Sequence, residues 1–232
     1  MNRLLIVVIV LIPVLATTKF FKSSDASRRQ IPNDPTTLEA RVKPVKERGE
    51  KRVVFPLPEV RSATVSSIDE AVSKYSVLLV EPVDKITVRL DPWSIHTFYK
   101  LKILDRLNDG PVSECCAPKD IPEQLSPLAE AEIYLQVYGG TVVVDDVEVT
   151  IGPEFSLTPH KQYLLFAAQD HSKKIALVKH GPRAVFSVTK EGRLQPIVNQ
   201  PNEFSRGIEQ KFGGSISTLK QSLAHRPSRN TN

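Results

Sequence analysis

Five histidines and two cysteines carry the ligand and nucleophile chemistry of this chain. Three of the histidines, His160, His171 and His180, fall in the stretch HKQYLLFAAQDHSKKIALVKH. Imidazoles that share a zinc ion stand about 2 Å from it, so a metal site is the first chemistry to test. HKQYLLFAA and KIALVKH read as two β-strands joined at QDHSK. Pairing Gln169 with Lys174 sets His180 opposite Tyr163, with His160 further along the strand. At about 3.3 Å per residue that offset is about 10 Å, and strand parity puts the two rings on opposite faces. His171, at the turn, lies about 30 Å away. Slipping the register by one restores a common face but widens the offset to about 13 Å. The three histidines therefore read as strand ends and a turn tip. No metal ligand and no cofactor is expected among them.

The cysteines, Cys115 and Cys116, are adjacent in SECCAP. A disulfide framework needs separated pairs, and zinc sites use spacings such as Cys-x-x-Cys. What adjacency allows is a vicinal disulfide, strained and therefore easily reduced. Cys115 and Cys116 are accordingly the candidate redox pair. The chain has no Gly-x-Ser-x-Gly elbow, phosphate-binding glycine loop, dinucleotide fingerprint or His-Glu-x-x-His. No catalytic residue is assigned. Asp145, Asp146 and Glu148 lack the regular oxygen spacing of a calcium loop. Asp145-Asp146 reads instead as a hairpin turn, because Asp bonds its own backbone there. Trp93, the single tryptophan, sits on a turn in LDPWSIH. It is the candidate partner-binding residue, against the alternative that it covers a barrel end.

The elements that would position these residues follow from the patterning. MNRLLIVVIVLIPVLATT carries one Arg and an apolar run from Leu4 to Ala16, too short for a spanning helix of about 20 residues. Residues 1–18 read as an export signal, cleaved after Ala16 or retained as a membrane anchor through residues 4–21. Lys19, Lys22, Arg28 and Arg29 follow the run while Arg3 precedes it. In an uncleaved anchor that asymmetry would hold the body on the cytoplasmic side. Residues 19–58 are polar, basic and Pro-bearing, and read as a flexible linker. RVVFPLPEV at its end is consistent with one edge strand. SSIDEAVSKYS reads as a helix, with Ser67 and Glu70 at capping-box spacing and Ile68, Ala71, Val72 and Tyr75 on one face.

Strands follow. SVLLVEPV ends near Pro82, and a second run alternates through Ile86, Val88 and Leu90. In IHTFYKLKILDRL, residues Ile95, Thr97, Tyr99, Leu101 and Ile103 share one face, with Phe98 as the exception on the other. Residues 111–130 form a Pro-rich loop. AEIYLQVYGG, TVVV, VEVTI and RAVFSVTKEGRLQPIV supply further strands. YLLFAA is apolar on both faces, as in a barrel wall capped outside by a helix. After Val198 the chain turns polar, and SISTLKQSLAH offers a short helix that could dock on the body.

The order helix SIDEAVSKYS, strand VLLVEPV, strand TFYKLKILDRL, strand into YGG, then HKQYLLFAA and a strand pair resembles the OB-like barrels of the netrin-like and tissue-inhibitor-of-metalloproteinases class. In its Tyr-Leu-Leu-Phe strand it also resembles exported bacterial proteins of that build. The resemblance spans residues 66–198. It implies a mainly β fold: a small closed OB-like (Greek-key) β-barrel with one packed helix, plus a short C-terminal helix. The class's inhibitors present an N-terminal cysteine to the protease zinc and carry many disulfides. Cys115 and Cys116 are this chain's only cysteines, so zinc-protease inhibition does not carry over. The organisation is then a signal or anchor at 1–18, a linker at 19–58, a barrel at 59–198 and a tail at 199–232.

A formal charge of +5 over 232 residues is mild, and no nucleic-acid partner is expected. The resulting expectation is an exported, non-enzymatic binding module for a protein or glycan of the cell envelope. Two alternatives stand beside it. One is an extracytoplasmic enzyme or redox protein using Cys115 and Cys116. The other is an anchored component of an envelope assembly.

Overall fold

Strand alternation and turn chemistry organise the computed structural model, which describes residues 37–57, 67–110, 122–152, 155–178, 181–198 and 202–225. Helix α1 (Leu38–Glu47) and strand β1 (Arg52–Phe55) open it, and α2 (Ile68–Lys74) follows. Strands β2 (Ser76–Asp91) and β3 (Ser94–Asn108) form a long hairpin, and β4 (Glu132–Tyr138) pairs back on β3. A smaller hairpin, β5 (Gly140–Val144) and β6 (Val147–Ile151), comes next. Then come β7 (Tyr163–Asp170), β8 (Ile175–Leu177), β9 (Val185–Val188) and β10 (Leu194–Pro196). Helices α3 (Glu203–Phe212) and α4 (Ile216–Ala224) end the described chain.

Five strands close on themselves in the order β7-β2-β3-β4-β8, with β8 returning to β7. β8 runs parallel to β4 and antiparallel to β7. The result is a mainly β fold built on a small closed five-stranded barrel with a few packed helices. One edge of β7 is shared: residues 163–165 bond β9, and residues 168–170 bond β8. This fork lets β9 and β10 leave the barrel as a tab. β1, β6 and β5 form a separate three-stranded sheet, with β1 parallel to β6 at its edge.

Register assigns the inside. Leu165 pairs with Leu78, Leu101 with Ile133, and Leu135 with Ala176, so these residues share one face. On the opposite face of β7, Phe166 meets Phe186 and Phe204 of α3 edge-on. That face is outside, and the Leu-rich face fills the barrel. One polar side chain, Gln169, lies on the filled face, 2% exposed, its Oε1 accepting from Arg106 Nη1 at 3.1 Å. Phe98 points outward and is fully buried, because Leu125 and Leu128 pack over it and Tyr134. This explains why Phe98 breaks the polar face of its strand.

Several expectations need correction. Residues 37–57 are not linker: Leu38, Val42 and Val45 form the buried stripe of α1, packed on the small sheet. Within the stretch expected as tail, residues 203–212 form α3, with Phe204, Ile208 and Phe212 buried. Asn202 accepts from the Ser205 N–H at its start, and Gly213 adopts a left-handed φ of 58° at its end. Pro82 does not end a strand. β2 passes through it on a register shift between Pro82 and Asp84 that leaves Val83 exposed, and a bulge tolerates the missing N–H. Gln169 pairs with Ala176 rather than Lys174. Asp170 Oδ1 accepts from Ser172 Oγ (2.6 Å) and from the Lys173 N–H (3.1 Å), making a longer turn that Lys174 closes at φ 50°.

Other local readings hold. Ser67 caps α2 by accepting from the Glu70 N–H at 3.2 Å. Asp145 and Asp146 turn the β5–β6 hairpin with φ of 48° and 65°, as a two-residue left-handed turn requires. α4 docks through Leu219 and Leu223. The apolar run of residues 4–16 and the pair Cys115 and Cys116 lie outside the described residues. Among the described residues, no helix is long and apolar enough to cross a membrane.

Candidate partner-binding site at the β2–β3 hairpin tip

Asp91 ends β2, Pro92 and Trp93 turn the chain, and Ser94 begins β3. The local sequence Asp-Pro-Trp-Ser explains the turn, since Asp accepts backbone N–H groups just ahead of it. Asp91 Oδ1 accepts from the N–H of Trp93 (2.9 Å) and of Ser94 (2.7 Å). Its Oδ2 accepts from Ser94 Oγ at 2.5 Å. The turn's carbonyls are held too. Arg89 donates through Nε to the Asp91 carbonyl and through Nη2 to the Pro92 carbonyl, both at 3.0 Å. The Leu38 N–H at the start of α1 donates to the same Pro92 carbonyl at 2.7 Å. Arg89 also grips both carboxylate oxygens of Glu39, one at 2.9 Å. That pairing holds the Glu39 carboxyl down to about 2. The outcome is a braced turn that leaves the Trp93 side chain 50% exposed.

Beneath the tip lies a polar relay. His96 Nε2 is 3.2 Å from Ser94 Oγ, and Gln136 Nε2 is 3.0 Å from His96 Nδ1. Ser94 spends its proton on Asp91, so the His96 proton sits on Nε2, and Nδ1 accepts from Gln136. Burial pushes the His96 pKa down, and Asp91 pulls it partly back. A serine beside a histidine evokes nucleophilic catalysis. Here, however, Ser94 is 4% exposed and its hydroxyl donates to Asp91 rather than to His96. The relay fixes the hairpin end and does not aim an oxygen at solvent.

Tyr138 closes the far side. It pairs with His96 in register, and the two rings meet edge-on at 5.0 Å. Next to it the Gly139-Gly140 step carries the chain from the barrel into the small sheet. Thr97 Oγ1 donates to the Gly139 carbonyl at 2.8 Å and takes a bond from Thr87 at 3.0 Å. Gly140, at φ 137°, lies so close that a Cβ there would stand 2.5 Å from Thr87 Cγ2. From α1, Arg41 lays its guanidinium over the Phe55 ring, 4.0 Å from the centroid.

Of the residues singled out from sequence, Trp93 is thus placed on an exposed tip rather than over a barrel end. Among the described residues the histidines are not brought together. His160 is exposed at φ 60° with Nδ1 3.4 Å from Glu81, His171 is in the β7–β8 turn, and His180 lies outside the described residues. Among the described residues no cluster of three or more His, Cys, Asp or Glu could hold a metal. Sequence reasoning missed Arg41, Asp91, Ser94 and Tyr138. The spacing of Leu38, Val42 and Val45 after Thr37 was the available signal for Arg41, which flanks that apolar stripe. No protein-family model, curated protein or solved structure matches the chain.

Proposed function

We propose that the chain is an exported, non-enzymatic β-barrel module that binds a protein or glycan partner of the cell envelope, with Trp93 as its anchor. The observation that carries this reading is the half-exposed indole on a turn braced by hydrogen bonds to Asp91, Arg89 and Leu38. An aromatic held in place loses little freedom on binding, which is the usual property of an interface hot spot. The barrel beneath it is filled by side chains and serves as a mount. The export signal expected at residues 1–18 supplies the envelope location.

The test is retention of envelope-extract components by the full chain and by Trp93→Ala. The expected result is a saturable partner that the variant loses by more than tenfold, with unchanged circular dichroism. Equal retention by both, or partner turnover by the purified chain, overturns the proposal.

A further inference from the structure

Arg41 stands out among the cations of the described residues. Its Nε is buried with no hydrogen-bond acceptor. No ion pair or hydrogen bond among the described residues involves its guanidinium, which lies over Phe55. The acids of the α1 start and the hairpin turn are already engaged. Glu39 is gripped by Arg89, and both oxygens of Asp91 are taken by the hairpin turn. Tyr138, like Phe55, packs against the apolar cluster that α1 helps to form. Among the described residues its hydroxyl makes no hydrogen bond, and burial pushes its pKa up while the Arg41 charge pulls it partly back. Desolvating a cation without an anion is unfavourable, and a ring face compensates only in part. Folds keep such local conflicts mainly where a site uses them.

We infer that Arg41 and Tyr138 form an oxyanion subsite beside the Trp93 tip, and that it takes a carboxylate of the bound partner. The guanidinium is the group whose fork matches a carboxylate, and its contact with the Phe55 ring helps hold it in place. The Tyr138 hydroxyl is a neutral donor alongside. Leu38, one turn before Arg41 on α1, bonds the residue next to Trp93, so anchor and subsite are mounted on one brace. This deepens the proposed function and rests on it for what carries the carboxylate. The subsite itself does not depend on Trp93, so the two readings can fail separately.

The test is melting of the full chain in sodium acetate against sodium chloride of equal ionic strength. At tenfold the dissociation constant, acetate should raise the wild-type melting temperature by roughly 3 °C. Arg41→Gln should show no acetate-specific shift, and Trp93→Ala should keep it. Glucuronate and N-acetyl-aspartate amide are parallel arms that show whether a sugar or a peptide presents the group better. In the wild-type chain the Arg41 Nε–H resonance should move saturably with acetate, a readout that needs no folded variant. An unmoved resonance, or an equal shift in Arg41→Gln, overturns the inference.

Discussion

In the barrel half of β2 and β3, Leu78, Val80 and Leu101 are fully buried among other hydrocarbon side chains. At the hairpin end of the same two strands, Asp91, Ser94 and His96 hold one another through hydrogen bonds, and Trp93 is left half outside. The barrel half is stabilised by apolar contact, which is large and nondirectional. The hairpin end is stabilised by directional bonds, each modest in net free energy. Bonds of that kind set a position more than they add stability. The comparison teaches that the barrel supplies the stability and the tip supplies the geometry. Among the described residues, Gln136 Oε1 below the tip and Arg41 Nε on α1 are buried without partners. Gln169 Nε2 inside the barrel is another, an orphan in the apolar half.

The contrast can be tested, beginning where the effect is largest. Phe166→Ala removes a fully buried ring packed on Phe186 and Phe204. It should lower the unfolding free energy by about 3–5 kcal/mol, measured by urea denaturation followed by circular dichroism. A loss under about 1 kcal/mol would mean that this layer is not close-packed.

Asp91→Ala should have a smaller effect on stability, about 1–3 kcal/mol, but a distinct local signature. Because Trp93 is the only tryptophan, its fluorescence anisotropy reports the tip alone. Anisotropy should fall in Asp91→Ala and stay unchanged in Phe166→Ala under native conditions. Equal anisotropy in Asp91→Ala would show that Arg89 and Leu38 brace the turn without the Asp91 side chain.

The smallest effect is the pH response of His96. Its pKa in the fold lies below the ordinary 6.5. Above pH 6.5 the ring is neutral in folded and unfolded chains, and its contribution is intact. As pH falls below 6.5 the unfolded chain takes up a proton that the fold resists, so stability declines toward the folded-state pKa. One group can contribute at most about 1.4 kcal/mol per pH unit. His96→Gln should flatten the stability profile below pH 6.5. An unchanged slope would assign the response elsewhere.

Local pattern made much of the fold legible. The alternation through Tyr99 and Leu101 marked β3, Asp145-Asp146 marked a hairpin, and Ser67 marked the start of α2, because each signal is complete within a few residues. α1 was hidden by the charges around it and by Pro44 in its interior, a residue that ordinarily argues against a helix. α3 was hidden because a polar stretch concealed Phe204, Ile208 and Phe212 at helical spacing. At the site, Trp93 was legible as a lone aromatic on a turn. Arg41 was not, because its meaning depends on a ring from the next strand and a hydroxyl from β4, far away in the chain.

The amino-acid sequence by itself determined where strands turn and which face of each is apolar, since backbone sterics and side-chain parity act over a few residues. Only the tertiary structure decided that β8 pairs in parallel with β4 to close the barrel, and that β2 continues through Pro82. It also decided that α1 brings Leu38 and Glu39 against the hairpin tip. Those outcomes depend on burying apolar surface between segments tens of residues apart, and no local pattern encodes which partner completes that burial.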